Sequence, residues 1–172
     1  MSFQMPFNLQ AWIDENRHLL KPPVGNKQVY VQNDDFIVMM VGGPNGRKDY
    51  HYEDGEELFY QIKGDIVVRV MEQDGPRDIP IKEGEMFLLP PRIPHSPQRP
   101  ADTIGLVIER YRHDGELDKL MWFCESCNHQ LHEASFELTD IVAQLPVVIN
   151  AFMASKELRT CNQCHAVMDA PD

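Results

Sequence analysis

Basic residues are scarce in this chain: 16 lysines and arginines stand against 27 aspartates and glutamates, a net charge of −11 over 172 residues. Nucleic-acid binding draws on clustered Lys and Arg that displace counterions from phosphate, so this balance argues against such a partner. No N-terminal stretch joins a basic flank to a long apolar run. No apolar run approaches the roughly 20 residues that a bilayer-spanning helix needs. Neither a secretory leader nor a membrane partner is expected, and the expected compartment is the cytoplasm. Repeats and low-complexity tracts are missing as well. Cysteine is sparse, four residues in all, but it comes in two pairs, Cys124-Glu-Ser-Cys127 and Cys161-Asn-Gln-Cys164. In a reducing compartment such pairs read as metal ligands before they read as disulfides.

What is present is ordinary for a globular protein, with 42% hydrophobic and 9% aromatic residues. The length allows one good core and a modest appendage. Asn8 to Leu20 reads as a short amphipathic helix with Asn8 as N-cap, stopped by Lys21-Pro22-Pro23-Val24-Gly25-Asn26. From Gln28 the texture changes to short strands: Val29–Val31, Phe36–Val41, Leu58–Ile62, Asp65–Met71, Met86–Leu89 and Ile104–Tyr111. Many short strands with no helix between them favour a mainly β fold, a sandwich or jelly-roll barrel. After His113 the texture shifts again. Thr139 or Asp140 can cap a helix from Ile141, which Pro146 interrupts and Val147–Ser155 continues, and a polar tail ends at Asp172. The expected division is therefore 1–27 (helix and loop), 28–113 (barrel) and 114–172 (a helical region with the four cysteines), all in one compact domain.

One cluster in the strand-rich part carries chemistry: His51-Tyr52-Glu53-Asp54-Gly55-Glu56-Glu57, then Gly64, then Gly84 and Pro90-Pro91-Arg92-Ile93-Pro94-His95. In a small barrel His51, Glu57 and His95 can converge on one interior point. Two neutral imidazoles and a carboxylate form the facial ligand set of non-haem Fe(II) oxygenases, which leaves open positions for substrate and O2. Taken singly, each is more simply read otherwise. A lone histidine is more often hydrogen-bonded than ligating, and Glu57 sits in an acidic run that suits a solvated turn. The joint spacing is what favours metal.

That spacing resembles the two cupin motifs. The first expects His, a second His two residues on, Glu four after that and Gly seven later. His51, Glu57 and Gly64 fit, while Glu53 holds the second His position. The second motif is matched by Gly84, Pro90 and His95, with Arg92 where a Gly is usual and Arg99 at a position often held by Asn. Losing one His leaves a three-ligand site. The wider string is similar to the 3-hydroxyanthranilate 3,4-dioxygenase family in its short form with a C-terminal metal-binding tail. The likeness runs through Pro6-Phe7-Asn8, Leu19–Asn26, Val41–Asn45, Arg47–His51, Glu56–Gln61, Phe87–Pro91, His95–Pro100 and Val107–Arg110.

The resemblance implies a cupin jelly roll with flanking helices and Fe(II) on His51, Glu57 and His95. It implies a reaction in which 3-hydroxyanthranilate and O2 give 2-amino-3-carboxymuconate semialdehyde. The family role lies in tryptophan catabolism through kynurenine, in quinolinate and NAD synthesis, or in nitroaromatic or aminobenzoate breakdown, and a homodimer is the usual state. Arg99 then offers a forked donor to the substrate carboxylate. Arg47 stabilises anionic oxygen, and Glu109 faces the polar edge of the ring. Glu57 stands beside the substrate, and Asn26, Phe59 and Pro97 line the pocket. The plainer readings are a solvated Arg47 beside Lys48, an Arg99 bound to a backbone carbonyl, an exposed Glu109–Arg110 pair, and Phe59 as core.

The spacing of Cys124 and Cys127 with Cys161 and Cys164 is that of a tetrathiolate knuckle, holding Zn or a second Fe in a closed structural role. Free thiols or a redox pair are the weaker readings, the latter because neither pair opens a helix after a strand. His129, His132 and His165 lie near enough in sequence to substitute. Two other classes stay open: a cupin metalloenzyme with another substrate, such as a sugar isomerase or thiol dioxygenase, and a non-catalytic cupin sensor.

Overall fold

The computed structural model describes residues 5–22, 25–31 and 35–170. Pro23 and Val24 of the expected stop string, and Pro171 and Asp172 of the polar tail, lie outside them. Helix α1 covers Leu9–Asn16, with the Asn8 side chain accepting from the Ala11 N–H at 2.9 Å as an N-cap should. The last expected turn tightens into a 3-10 helix, Arg17–Leu19. Ile13 and Leu20 are buried there against Val29, Met40 and Ile104.

The strands in chain order are β1 (Asn26–Gln28), β2 (Phe36–Gly42), β3 (Tyr50–Tyr52), β4 (Glu57–Lys63), β5 (Ile66–Glu72) and β6 (Gly75–Ile81). They continue as β7 (Met86–Leu89), β8 (His95–Gln98), β9 (Ile104–Arg110), β10 (Asp118–Phe123) and β11 (Gln130–Phe136). They form two antiparallel sheets, ordered β1-β2-β9-β4-β7 and β11-β10-β3-β8-β5-β6. This is a mainly β, jelly-roll arrangement in which two sheets close over one interior. Alternation sets which side chains enter it: Ile66, Val68 and Val70 of β5 are buried, as are Glu57, Phe59 and Gln61 of β4. Gly64 turns β4 into β5 at a φ of 68°, a conformation that costs glycine little.

Five expected strands fall within two residues of their place. Val29–Val31 is different, because the ladder with β2 is taken three residues earlier by polar Asn26–Gln28. Val29 bonds back to the Val38 carbonyl at 2.7 Å. Its apolar side chain belongs to the α1 cluster instead, so hydrophobicity pointed at packing rather than pairing. Arg92, where cupins usually place glycine, does adopt a left-handed φ of 64°. A non-glycine residue there costs roughly 1–2 kcal/mol. The Arg92 N–H bonds the Glu53 carbonyl at 2.8 Å and its guanidinium pairs with Asp54 at 2.6 Å, which holds the turn.

The segment after residue 113 departs from the expected helical region. It opens with β10 and β11, and β10 pairs with β3 so that Leu120 faces His51 in register. The sheet therefore continues to Phe136. Alternation in β10 is clear in retrospect, with Asp118, Leu120 and Trp122 buried, but a buried aspartate dilutes the apolar signal. Helix α2 follows over Ile141–Ala154, with Pro146 inside it rather than splitting it. Asp140 caps it through Ala143 N at 3.0 Å. Its face packs on the sheet, with Phe152 stacked on Trp122 at 4.2 Å between ring centroids. Phe152 is 1% exposed, so Phe152→Ala is expected to cost about 3–5 kcal/mol. Denaturant unfolding that shows no loss would mean the helix is not anchored to the barrel by this stack.

Candidate metal and substrate site

The two sheets divide the ligand chemistry between them. On the second sheet, β3 and β8 place His51 directly opposite His95 in register. On the first, β4 and β9 place Glu57 opposite Glu109. All four side chains point inward and are buried. One donor atom each from His51, Glu57 and His95 lies within 4.8 Å of the others, so the three residues singled out from spacing share one point.

The donor set fits a cation. His95 Nδ1 lies 2.9 Å from the Ile93 carbonyl and so carries the proton there. His95 Nε2 then faces Glu57 Oε2 at 2.6 Å, yet no donor is aligned on that oxygen among the described residues. Two acceptor atoms so close need positive charge between or beside them, a proton or a metal. Burial opposes the ionised form of Glu57, but His95, His51 and Arg47 outweigh it and hold its carboxyl below the usual range. His51 presents Nε2 to Asp118 Oδ2 at 2.6 Å.

Around this point lies a second group of charges. Arg99 is 3% exposed and follows β8. Its Nη1 reaches Gln61 Oε1 at 3.3 Å, while its Nε has no partner among the described residues. The expected alternative, a backbone-carbonyl partner for this guanidinium, is not what the hydrogen bonds show. Burial lowers the Arg99 pKa to about 10. Gly105 lets it through, since a Cβ there would meet Nη1 at 2.8 Å. Glu109 is buried rather than an exposed strand-end residue, while its neighbour Arg110 faces out to Glu116 at 2.6 Å. Glu109 Oε1 lacks a partner among the described residues, as does Asn26 Oδ1.

Arg47 is not a free loop cation; Asp49, 1% exposed, holds its guanidinium. Arg47 and Asn26 line a cleft of about 380 Å³ that α2 borders through Ile141, Leu145 and Ile149. Phe59 sits in the apolar core beside Ile37, Val68 and Val107, with its ring edge-on to His95 at 6.3 Å. Pro97 lies in β8 and its carbonyl accepts from Asn45 Nδ2 at 2.8 Å.

Four contributors were not singled out from sequence: Arg112, Asp118, Asp49 and Gln61. Arg112 reaches Glu53 Oε2 at 2.8 Å, Glu109 Oε2 at 3.2 Å and Asp118 Oδ1 at 2.6 Å. Glu53, in the position of the missing histidine, has its pKa raised to about 10 by burial and by Glu109. Arg112 lies past the end of β9, where no periodicity reads it. Asp118 had one signal, a charge at an inward position of the alternating run Asp118, Leu120, Trp122.

The cysteine pairs also meet. Cys124 and Cys164 Sγ are 3.5 Å apart, and Cys127 and Cys161 Sγ 3.6 Å. Disulfide sulfurs would stand about 2.05 Å apart. Sulfurs at about 2.3 Å from a tetrahedral ion are about 3.8 Å from one another. The two turns are built alike. In each, the first cysteine accepts from the residue four on (Asn128, His165) and donates to the residue five on (His129, Ala166). Asn128 and His165 both take left-handed φ, 60° and 63°. Backbone N–H groups of Cys164 and Gln163 on the Cys161 sulfur lower its pKa to about 6, which favours the thiolate a metal needs. None of the three nearby histidines joins this group, and His132 stacks against Phe152 instead.

Comparison with known proteins agrees with the geometry. A family model described as 3-hydroxyanthranilic acid dioxygenase matches residues 1–153. A 3-hydroxyanthranilate 3,4-dioxygenase of Xanthomonas euvesicatoria is 56% identical over 97% of this chain and 94% of its own length. One from Bacillus cereus is 48% identical over 94% and 90%. Among solved structures, a cupin-2 domain protein of Shewanella frigidimarina aligns with TM-score 0.45 and 17% identity, covering 61% of this chain and all of that one.

The knuckle has a direct test. Cys161→Ser is expected to lower the bound metal by one ion per chain and the Tm by at least about 2–4 °C, the equivalent of 1 kcal/mol at this length. Unchanged metal content in the purified variant would show that these sulfurs hold no ion.

Proposed function

The chain belongs to the 3-hydroxyanthranilic acid dioxygenase family, and from that premise we propose that it opens the ring of 3-hydroxyanthranilate with one Fe(II) held by His51, Glu57 and His95. When bound, the iron supplies a centre at which an electron-rich chelating substrate and O2 meet and exchange electrons. Both oxygen atoms enter the product, 2-amino-3-carboxymuconate semialdehyde. The observation that carries this reading is the set of buried polar atoms without partners around the His51, Glu57 and His95 point. Arg99 Nε is a donor, and Glu57 Oε2, Glu109 Oε1 and Asn26 Oδ1 are acceptors. Each costs free energy when buried and unpaired, and an aminophenol carboxylate with a metal supplies a counterpart to each.

The residues divide the work. Arg99, desolvated and clamped through Gln61, binds the substrate carboxylate. Glu109 accepts a hydrogen bond from the amine or hydroxyl and so orients the ring edge. Arg47, steered by Asp49, places positive charge where anionic oxygen develops. Asn26 adds a polar group at the mouth, Pro97 stiffens the strand before Arg99, and Phe59 backs His95. The cysteine knuckle, with Zn or Fe, is structural.

The wider reading follows the family. The reaction serves tryptophan breakdown through kynurenine or aminobenzoate catabolism, in the cytoplasm. No helix among the described residues is long and apolar enough to cross a membrane. A homodimer through the outer face of the first sheet would cover Met86 and Leu88, 64% and 52% exposed.

Oxygen uptake with 3-hydroxyanthranilate tests the reaction, and a cupin with another substrate or a sensor would give none. His51→Ala, Glu57→Ala and His95→Ala should each lose most of the catalytic iron while remaining folded, with the knuckle's metal counted apart. Arg99→Ala should weaken anaerobic binding of 3-hydroxyanthranilate about tenfold to hundredfold, the worth of a charge-assisted bond of about 1.5–3 kcal/mol. Binding of 2-aminophenol, which lacks the carboxylate, should hold. Equal loss for both ligands would make Arg99 a prop for its loop.

A further inference from the structure

Asp118 is completely buried, on a strand that contributes no ligand of its own. Its carboxylate is gripped from two directions. Arg112 forks onto it, Nε to Oδ1 at 2.6 Å and Nη2 to Oδ2 at 2.7 Å. On its other side Oδ2 lies 2.6 Å from His51 Nε2. Arg112 is fixed in turn by Glu53 and Glu109 and by the Arg110 carbonyl at 2.8 Å.

We propose that Asp118, clamped by Arg112, is a positioning residue that sets the tautomer of His51 and thereby which ring nitrogen meets the metal. This rests on the metal reading given above. A neutral imidazole carries one N–H and one lone pair. A carboxylate can only accept, so the proton of His51 sits on Nε2 and the lone pair is left on Nδ1. Outer carboxylates of this kind orient metal-binding histidines and raise their basicity. Arg112 makes the arrangement one-sided. It can only donate, so it keeps the carboxylate ionised and its fork holds the oxygens in place.

The same logic predicts the effect of one atom. In Asp118→Asn either orientation of the amide sets its NH2 against one N–H of the Arg112 fork, Nε at the Oδ1 position or Nη2 at the Oδ2 position, because two donors cannot share a hydrogen bond. The fork is broken, and the neutral amide left beside His51 Nε2 no longer fixes the proton there or raises the basicity of Nδ1 as a carboxylate does. The side chain keeps its size while its hold on His51 is weakened. Arg112→Lys keeps a buried cation beside Asp118 and leaves the tautomer unchanged, so its effect on metal binding should be smaller.

The test uses the full chain with Zn(II), which is diamagnetic, in both sites. A long-range proton–nitrogen correlation spectrum of the histidine rings, with His51→Ala to assign the signals, should show the His51 proton on Nε2 and the metal on Nδ1. Competition with a chelator should then show catalytic-site affinity reduced about 10–100-fold in Asp118→Asn, and less in Arg112→Lys, with the knuckle's ion counted separately. A proton on Nδ1 in the parent overturns the proposal, as does an Asp118→Asn protein that binds within twofold of the parent. The spectrum of the parent decides the matter even if Asp118→Asn does not fold. A parent that binds no ion outside the cysteines would sink the metal reading itself, whereas metal on Nε2 would sink this inference alone.

Discussion

Buried charge is the constraint on which this molecule is organised. Asp49, Glu53, Glu57, Glu109 and Asp118 are all removed from water, and an isolated buried carboxylate is too costly to persist. Arg112 answers three of them at once, reaching Glu53, Glu109 and Asp118. Arg47 answers Asp49, and Arg99 stands over the remaining part of the interior. Three arginines do not balance five carboxylates, even with burial and Glu109 pushing Glu53 toward its neutral acid. On the proposed reading a divalent ion overshoots that balance by one charge, and a substrate carboxylate at Arg99 restores it. Unloaded, a proton shared by His95 and Glu57 can make up the same difference.

Strand register converts this chemistry into geometry. His51 against His95 on one sheet and Glu57 against Glu109 on the other are pairs fixed by ladders, not by flexible loops. Shifting any of these strands by one residue would turn its inward polar side chain out of the barrel. The inward column of the first sheet runs from Glu57 and Glu109, through Phe59 and Val107, to Gln61 and Gly105. Phe59 therefore separates two polar zones and backs His95 from the apolar side, which explains why it reads as core and still borders the site.

Much of this is legible in the sequence. The three-ligand spacing, both cysteine pairs, the capping asparagine of α1 and five strands come from strong local patterns. Each depends on short-range chemistry: a cap, a turn glycine, a ligand at fixed offset. The features that were not legible are those in which polar residues do interior work. Asn26–Gln28 pairs as a strand without apolar content, and β10 carries a buried aspartate in its inward row. Arg112 has no local signal at all, since its partners lie just past β3, in β9 and in β10 and only the closed barrel brings them together. Periodicity reads hydrophobic faces, and a buried ionic network is its blind spot.

The C-terminal third is consequently no appendage. Strand β10 pairs with β3 beside His51 and supplies Asp118 at its first residue. It ends at Phe123, so that Cys124 of the knuckle is the next residue along. Six residues of extended chain are about 20 Å long, and over that length one strand carries a hydrogen-bond partner of His51 at one end and leads into Cys124 at the other. Leu120 and Trp122, both 0% exposed, fill the space between, and Phe152 of α2 presses on Trp122. On the proposed reading a packed strand with both ends tied makes the knuckle a clamp: it holds the end of β10 at Cys124, and the ladder with β3 carries that placement back to Asp118. The four-cysteine cluster, read as a closed metal site, then has a physical reason to sit in this chain.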